Sequence, residues 1–391
     1  MLGIGLIIIG GIISNFICDK VKLPRLIGLM IIGFIIGPSL LNLIDKEILN
    51  LDLDIKNIAL IILLIRAGLS ININDLKNIK KRIIIISFIP ISIEITSVAL
   101  LGMLLLKLNL IEGLMLGSIV GAVSPAVIVD RGLKLLNRKY GTNYQIPQLM
   151  LIGGSLDSIF SVIIFNLILV IYQETTINYA YIILNVPLTL LTSIIIGYFL
   201  GIIINKLIKK INFDNIYLMF FNIALACLIY GLNKEFSFIP FSSLICVICY
   251  NMYFKFHDDH LALKLNQSFS SIWKIAEIFL FVLVGAVINI SYLPKYLLVG
   301  LIIVIIGLLF RSLIIYLTLH KDLPKKETIF CIYAFLPKAT VQAAIGGIPL
   351  SLGFSFGQEF LAISVIAIIL TTLVGTILID STYYKLLTKE K

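Results

Sequence analysis

The stretch "GSIVGAVSPAVIVD", residues 117–130, places Gly121 and the pair Ser124-Pro125 inside a long apolar run. Proline removes a backbone donor and glycine loosens a helix, so this stretch predicts a helix that breaks in mid-span. A second stretch, "YAFLPKATVQAAIGGIP" at 333–349, has Pro337 and two adjacent glycines in the same setting. Non-helical backbone within a bilayer is tolerated only where protein or a cavity covers it. The two stretches therefore predict a substrate-binding site inside a membrane, where the two broken helices meet.

The composition places the whole chain in a bilayer. Of its 391 residues, 60% are hydrophobic and 13% are charged, whereas soluble domains carry about 25% charged residues. Many runs reach the roughly 20 apolar residues that cross a bilayer. We expect the first run to be a membrane helix and not a cleaved signal peptide. The net charge of +10 indicates basic cytoplasmic loops, so we predict the lipid bilayer as the partner and no nucleic acid.

Apolar periodicity predicts an all-α polytopic membrane protein with 13 transmembrane helices. The predicted segments are 2–18, 26–44, 57–70, 83–106, 110–129, 147–172, 178–204, 214–232, 238–254, 271–290, 296–319, 328–349 and 359–382.

The loop charges alternate along this series and predict its orientation. One set of loops is rich in Lys and Arg, including Lys77, Lys80, Lys81 and Arg82. The opposite loops hold only Lys46, Lys56, Lys107, Lys234 and Lys295. Because basic loops stay in the cytoplasm, the N-terminus is predicted outside and the C-terminus in the cytoplasm.

The two broken segments are the fifth and the twelfth, seven places apart. Segments 2–6 and 9–13 then form two five-helix units of opposite orientation. We predict one transporter domain over 1–391, with repeat 1 at about 26–172, linker helices at about 178–232 and repeat 2 at about 238–382. An inverted repeat with a broken helix in each half is typical of secondary transporters, whose site lies at the repeat interface.

Five charged residues are predicted to lie deep within the membrane, away from the ends of their segments: Glu94, Asp157, Arg66, Arg311 and Lys338. A charge at the bilayer centre costs at least about 2.5–3.5 kcal/mol. Each of these side chains therefore needs a partner or a water-filled cavity. Glu94 and Arg311 are expected to pair, either in the mechanism or purely as a structural tie between segments 4 and 11.

Asp157 is the candidate cation site. Its partner is either Lys338 or Arg311, and Lys338 is favoured because it lies on the second broken segment. Sodium prefers hard oxygen ligands, which Asp157, the hydroxyl of Ser155 or Ser158, and carbonyls near Ser124 would supply. A cation at Asp157 would deprive Lys338 of its counter-ion and release a proton. The alternative is structural: Asp157 belongs to a fixed ion pair, while three polar side chains cap freed backbone groups, namely Ser124, Thr340 and Gln342.

Five stretches resemble the monovalent cation:proton antiporter superfamily, especially its NHA-type sodium/hydrogen antiporter branch. They are "RAGLSI" (66–71), "GAVSPAVIV" (121–129), "IPQLMLIGGSLDSI" (146–159), "LFVLVGAVINISYL" (280–293) and "AFLPKATVQAAIG" (334–346). The resemblance implies an NhaA/NapA-like antiporter fold with two domains: a dimerisation domain and a core domain that holds the crossed broken helices. It also implies that two copies of the chain form a homodimer, in which the core domain moves like an elevator. It also implies an ion-binding role for Asp157, the conserved lysine for Lys338, a core ion pair for Glu94 and Arg311, and the crossing point for Ser124 and Pro125.

One position departs from that pattern. The branch usually carries Asp-Asp where this chain has Asp157-Ser158, and serine can neither titrate near pH 7 nor neutralise a cation. We therefore predict weak or electroneutral exchange of Na⁺ (or Li⁺) for H⁺, serving pH homeostasis in a bacterial inner membrane, with no cofactor and no enzymatic reaction. The alternatives are a K⁺/H⁺ or other monovalent cation exchanger, and a non-transporting, sensory member of the family.

Overall fold

The computed structural model describes residues 2–21, 23–70, 80–173, 179–211, 214–235, 240–288 and 291–390. Within these ranges every regular element is a helix, apart from one isolated bridge between Tyr140 and Lys389. The all-α prediction is confirmed for this part of the chain. Its physical basis is that a helix satisfies its own backbone hydrogen bonds in lipid.

The first half of the chain forms eight helices, which we number in order. They are α1 Leu2–Val21, α2 Arg25–Ile36, α3 Lys46–Asn50, α4 Asp52–Ser70, α5 Lys80–Leu106, α6 Leu110–Gly121, α7 Pro125–Asn137 and α8 Ile146–Gln173. The second half forms α9 Tyr179–Ile211, α10 Asn215–Glu235, α11 Ser243–His257, α12 Asp259–Val287, α13 Tyr292–Leu319, α14 Lys325–Ala334, α15 Thr340–Ile345, α16 Ile348–Ser351 and α17 Gly357–Leu386.

Nine helical spans in the described part of the chain are long and apolar enough to cross a membrane, which makes this a multi-pass membrane protein. One of them, Leu110–Asn137, contains both α6 and α7. The other predicted segments coincide with helices that are shorter, more charged or interrupted: α2, α4, α11 and the series α14 to α16. The count of 13 and the inverted repeats stay predictions. Of the basic residues used for orientation, Lys22, Lys77 and Lys391 lie outside the described residues.

The chain divides into two compact units by packing. The first contains Met1–Lys56, Asn78–Ile168 and Ile278–Lys391, and every predicted site residue belongs to it. Within this unit α5 packs along α6 and α13, and α17 packs along α13 and α14. The second unit contains Asn57–Lys77 and Leu169–Glu277, where α11 packs against α9 and α10.

In the second unit, a buried polar cluster joins α10 to α11. The side-chain amide of Asn222 donates to Asn251 at 2.8 Å, and the hydroxyl of Tyr250 donates to the Asn222 side chain.

Arg66, which the sequence also places within the membrane, belongs to the second unit. Its guanidinium carbon lies 5.8 Å from the centroid of the Trp273 ring.

In the first unit, glycines bring α6 unusually close to α5. A Cβ atom at Gly117 would stand 2.4 Å from the carbonyl oxygen of Ile95, and one at Gly113 would stand 2.8 Å from that of Ala99. A capping box between Asn109 and Glu112 fixes the start of α6. The close approach places Glu94 of α5 beside the end of α6, where the helix breaks.

Both predicted breaks are present. α6 ends at Gly121, an extended stretch Ala122–Ser124 follows, and α7 begins with Pro125, whose missing N–H costs nothing at the first position of a helix. The second break separates the end of α14 at Ala334 from the start of α15 at Thr340.

Candidate functional site

The carbonyl end of α6 is the centre of the candidate site. The carbonyl oxygen of Gly121 accepts a hydrogen bond from Arg311 Nη1 at 2.8 Å and another from Lys338 Nζ at 2.9 Å. The last carbonyls of a helix have no partner within it and carry the negative end of its dipole. Both buried cations therefore meet a partial negative charge that the break itself creates.

Gln342, in the first turn of α15, satisfies the neighbouring carbonyls. Its Nε2 atom donates to Ile119 at 2.9 Å and to Ala122 at 2.8 Å, with a longer contact to Val120 at 3.3 Å. Ser161 of α8 donates to the carbonyl of Ser118. Because no water reaches backbone groups in the bilayer core, these donors make the break tolerable.

Asp157, on α8, is fully buried and faces the extended stretch of the first break. Its Oδ1 atom accepts from the backbone N–H of Val123 at 2.9 Å, and its Oδ2 atom pairs with Arg311 Nη2. A five-residue π-helical turn, Leu149–Gly153, precedes this part of α8. Such turns are frequent at functional sites, because the extra residue changes the direction of the side chains that follow.

Four buried charges form one continuous chain. Arg311 Nη1 lies 2.6 Å from Glu94 Oε2, and Lys338 Nζ lies 2.8 Å from Glu94 Oε1. Arg311 thus binds both Glu94 and Asp157, while Lys338 binds Glu94. The expectation that Lys338 is the direct partner of Asp157 is wrong, since the guanidinium of Arg311 occupies that carboxylate. The expected contact between Glu94 and Arg311 is present.

The serines do not lie as expected for cation ligands. The Ser158 hydroxyl is 2.6 Å from the carbonyl oxygen of Val123 and 2.8 Å from that of Gly154, while the Ser155 hydroxyl donates to Leu151 at 2.7 Å. Ser155 is therefore committed to its own helix, and Ser158 ties α8 to the first break. The Ser124 hydroxyl is 3.4 Å from Thr340 Oγ1, a contact at the limit of a hydrogen bond.

The two breaks touch through their backbones. The N–H of Ser124 donates to the carbonyl of Pro337 at 2.8 Å. The structure thus brings together Ser124, Pro125, Pro337, Thr340 and Gln342 with the four charges, whereas Ser155 lies on the adjacent α8 and bonds within it.

Sequence reasoning missed Thr371 and Thr372 of α17. The N–H of Lys338 donates to Thr371 Oγ1 at 2.8 Å, and Thr372 Oγ1 donates to the carbonyl of Lys338 at 2.9 Å. Their adjacency in "LTTLVG" was the available signal, but threonines in apolar helices usually bond to their own backbone.

Comparisons with known proteins match nearly the whole chain. A sequence model of the family described as "Sodium/hydrogen exchanger, transmembrane" matches residues 4–383. The human sodium/hydrogen exchanger 9B2 is 30% identical over 390 residues, which cover 94% of this chain and 70% of the relative. The human sodium/hydrogen exchanger 9B1 is 28% identical, over 98% of this chain and 76% of the relative.

Among solved structures, the fold is similar to that of the sodium proton antiporter MjNhaP1 from Methanocaldococcus jannaschii. The TM-score is 0.82 at 22% sequence identity, and the match covers 98% of this chain and 97% of MjNhaP1.

Proposed function

Because this chain belongs to the sodium/hydrogen exchanger family, a family of membrane antiporters, we propose that it exchanges Na⁺ (or Li⁺) for H⁺ by alternating access. The observation that carries the proposal is the unbroken chain of contacts from Asp157 through Arg311 and Glu94 to Lys338. All four side chains are fully buried, so no one of them changes its charge without affecting its neighbour.

The mechanism follows from which of the four side chains is able to give up a proton when Na⁺ binds. Na⁺ approaches Asp157 and replaces Arg311 as the partner of that carboxylate. Arg311, which keeps its proton under all ordinary conditions, then pairs with Glu94 alone. Because Arg311 now neutralises Glu94, the Lys338 ammonium has lost its counter-charge and gives up its proton. The signal that a cation has bound therefore passes to Lys338 through Arg311 and Glu94.

The charge balance predicts a one-for-one, electroneutral exchange. Two carboxylates face two cations in the described site, so its net charge is zero. When Na⁺ enters and Lys338 loses one proton, the net charge is again zero. Ser158 adds no negative charge, because a hydroxyl does not ionise near pH 7. A second acid at that position would permit a second proton and movement of net charge.

The finer features of the proposal follow the sequence. We infer thirteen spans in two inverted repeats, with the N-terminus outside and the C-terminus in the cytoplasm of a bacterial inner membrane. A homodimer is expected from the family resemblance. Exchange at this site requires that it open to one side of the membrane at a time.

The decisive experiment uses purified protein in vesicles with an outward Na⁺ gradient and a fluorescent reporter of internal pH. The wild type is expected to acidify the vesicle lumen, and Asp157→Asn to abolish this exchange. Asp130→Asn is the matched control, because Asp130 is an exposed carboxylate on α7 and its loss leaves the buried chain intact. Exchange by the Asp157 variant at the wild-type rate would refute the mechanism.

A clamped membrane voltage tests the stoichiometry. Electroneutral exchange predicts a rate that is independent of voltage in the wild type, and Ser158→Asp is expected to introduce voltage dependence. Voltage-driven exchange by the wild type would contradict one-for-one coupling. The same assay with K⁺ or Li⁺ in place of Na⁺ identifies the cation.

One observation favours a second candidate function, a non-transporting sensor that kept the scaffold. The Ser158 hydroxyl bonds to the carbonyl of Val123 in the first break and to that of Gly154 on its own helix, and it has no charge to offer a cation. If vesicles containing the wild type bind Na⁺ but move neither Na⁺ nor protons, this alternative replaces the exchanger.

A further inference from the structure

Lys338 lies in the non-helical stretch between α14 and α15, so its backbone N–H and C=O have no helical partner. In the described part of the chain, both groups bond to consecutive hydroxyls on α17. Thr371 accepts from the N–H at 2.8 Å, and Thr372 donates to the carbonyl at 2.9 Å.

The two threonines have complementary roles. The hydrogen of the Thr371 hydroxyl is directed to Ala367 at 2.7 Å, which leaves its oxygen free to accept from Lys338. The Thr372 hydroxyl does the reverse and acts as donor. All three residues are buried, where an unpaired backbone group would find no water to replace the lost bond.

One turn further along α17, Gly375 holds the same stretch by shape. A Cβ atom at Gly375 would stand 2.6 Å from Pro337 Cγ and 3.1 Å from Pro337 N, so only glycine admits the proline ring here. Thr371, Thr372 and Gly375 therefore form one docking surface for the residues before and at Lys338.

From this geometry we propose that Thr371 and Thr372 are positioning residues for exchange. They fix the backbone of Lys338 so that its ammonium lies 2.8 Å from Glu94 and 2.9 Å from the carbonyl of Gly121. The inference rests on the proposed function, since it assigns to Lys338 the proton that is exchanged.

A change in position predicts a specific kinetic signature. In the proposed mechanism Na⁺ binds when Arg311 leaves Asp157 and pairs with Glu94 alone. If the Lys338 ammonium is held less well on Glu94, this carboxylate is more available to Arg311. Na⁺ then displaces Arg311 more easily, so the KM for Na⁺ falls. The maximal rate also falls, because proton release from Lys338 is no longer aligned with cation binding. A purely structural role would reduce the number of active molecules and thus the maximal rate, with KM unchanged.

The test compares Thr372→Val with Thr372→Ser, which keeps the hydroxyl, in the vesicle assay. We expect the valine variant to lose roughly tenfold in maximal rate, as for one lost buried hydrogen bond, with a lowered KM. The serine variant should restore both values. Thr376→Val is the matched control, because Thr376 is a buried threonine on the same helix that bonds only to Leu373 of that helix.

Hydrogen exchange supplies a readout that does not depend on transport. Thr371→Val removes the acceptor for the Lys338 amide, so deuterium uptake in the peptide 335–342 should accelerate, with no change in Thr376→Val. If a valine variant does not fold, the alanine variant at the same position replaces it.

The outcomes separate this inference from the proposed function. If Thr371→Val and Thr372→Val have the same KM, maximal rate and deuterium uptake as the wild type, the positioning role is overturned and the exchange mechanism is left intact. A rate loss with unchanged KM that Thr372→Ser does not rescue would also overturn it. Absence of exchange in the wild type would refute the proposed function, and the deuterium uptake would still decide whether the hydroxyls hold Lys338.

Discussion

The two breaks solve the same physical problem in opposite ways. At the first, which runs from the carbonyl of Gly121 at the end of α6 to Ser124, no residue carries a charge. The partners of this backbone come from four other elements: Asp157 of α8, Arg311 of α13, Gln342 of α15 and Lys338 of the second break. At the second, Phe335–Ala339, the chain carries its own charge, and a single helix, α17, satisfies the backbone of Lys338.

This difference assigns different tasks to the two regions. The first break gathers four buried charges around the carbonyl end of α6, and in the proposed mechanism it receives the cation. In the second break, the backbone of Lys338 is bonded by one helix, α17, and the ammonium of the same residue reaches the carbonyl of Gly121. Among the residues that the structure describes, one backbone hydrogen bond joins the two stretches, from the N–H of Ser124 to the carbonyl of Pro337.

The largest expected effect comes from removing the acid that both cations share. Glu94→Gln leaves Lys338 without a carboxylate partner, and breaking a buried ion pair on one side costs about 3–5 kcal/mol. We expect a large fall in thermal stability and loss of exchange. Both are measured on the purified protein, by a thermal melt in detergent and by the vesicle assay.

The double variant tests whether the second break acts through that acid. Glu94→Gln combined with Lys338→Gln removes both members of the pair, so part of the stability lost in the single variant should return, while exchange stays absent. Glu47→Gln, an exposed acid on α3, is the control. Strictly additive losses in the double variant would mean that Lys338 and Glu94 are not coupled.

A smaller loss of stability and exchange is expected from removing the Gln342 amide, the uncharged donor to the carbonyls at the first break. Gln342→Leu keeps most of the side-chain volume but leaves the carbonyls of Ile119 and Ala122 without their donor, at about 1–3 kcal/mol for each unpaired group. We predict a lower melting temperature and a roughly tenfold slower exchange. The comparison between the breaks predicts that the KM for Na⁺ rises here, since the receiving region is disturbed.

Gln173→Leu, an exposed glutamine at the end of α8, is the matched control for this variant. If Gln342→Leu instead lowered KM, as predicted for the threonines of α17, the two breaks would not have separate tasks.

The sequence predicts the breaks and the charges well, for a clear physical reason. A bilayer makes every proline, paired glycine and ionised group costly, so those that remain mark places where other side chains must supply partners. Asp157, Lys338, Glu94 and Arg311 were found in this way, as were Pro125 and Pro337.

The partners of these groups could not be predicted in the same way. Arg311 has a planar, forked head that reaches two carboxylates at once, and this geometry places it between Glu94 and Asp157, where the sequence favoured Lys338. The adjacency of Thr371 and Thr372 was too weak a signal to identify them. A hydroxyl within a helix can bond to its own backbone, and any further bond depends on tertiary contact.

The smallest expected effect is at Ser124, and it tests whether side chains or backbone join the two breaks. Ser124 contacts Pro337 through its N–H at 2.8 Å, which any residue but proline supplies, while its hydroxyl reaches Thr340 only at 3.4 Å. Ser124→Ala should therefore cost less than about 1 kcal/mol and leave the exchange rate within about threefold in the vesicle assay. Ser124→Pro removes the N–H and should be far more damaging. If the alanine variant lost exchange as completely as Asp157→Asn, the hydroxyl would be a cation ligand, and the first break would bind its ion through side chains as well as through backbone.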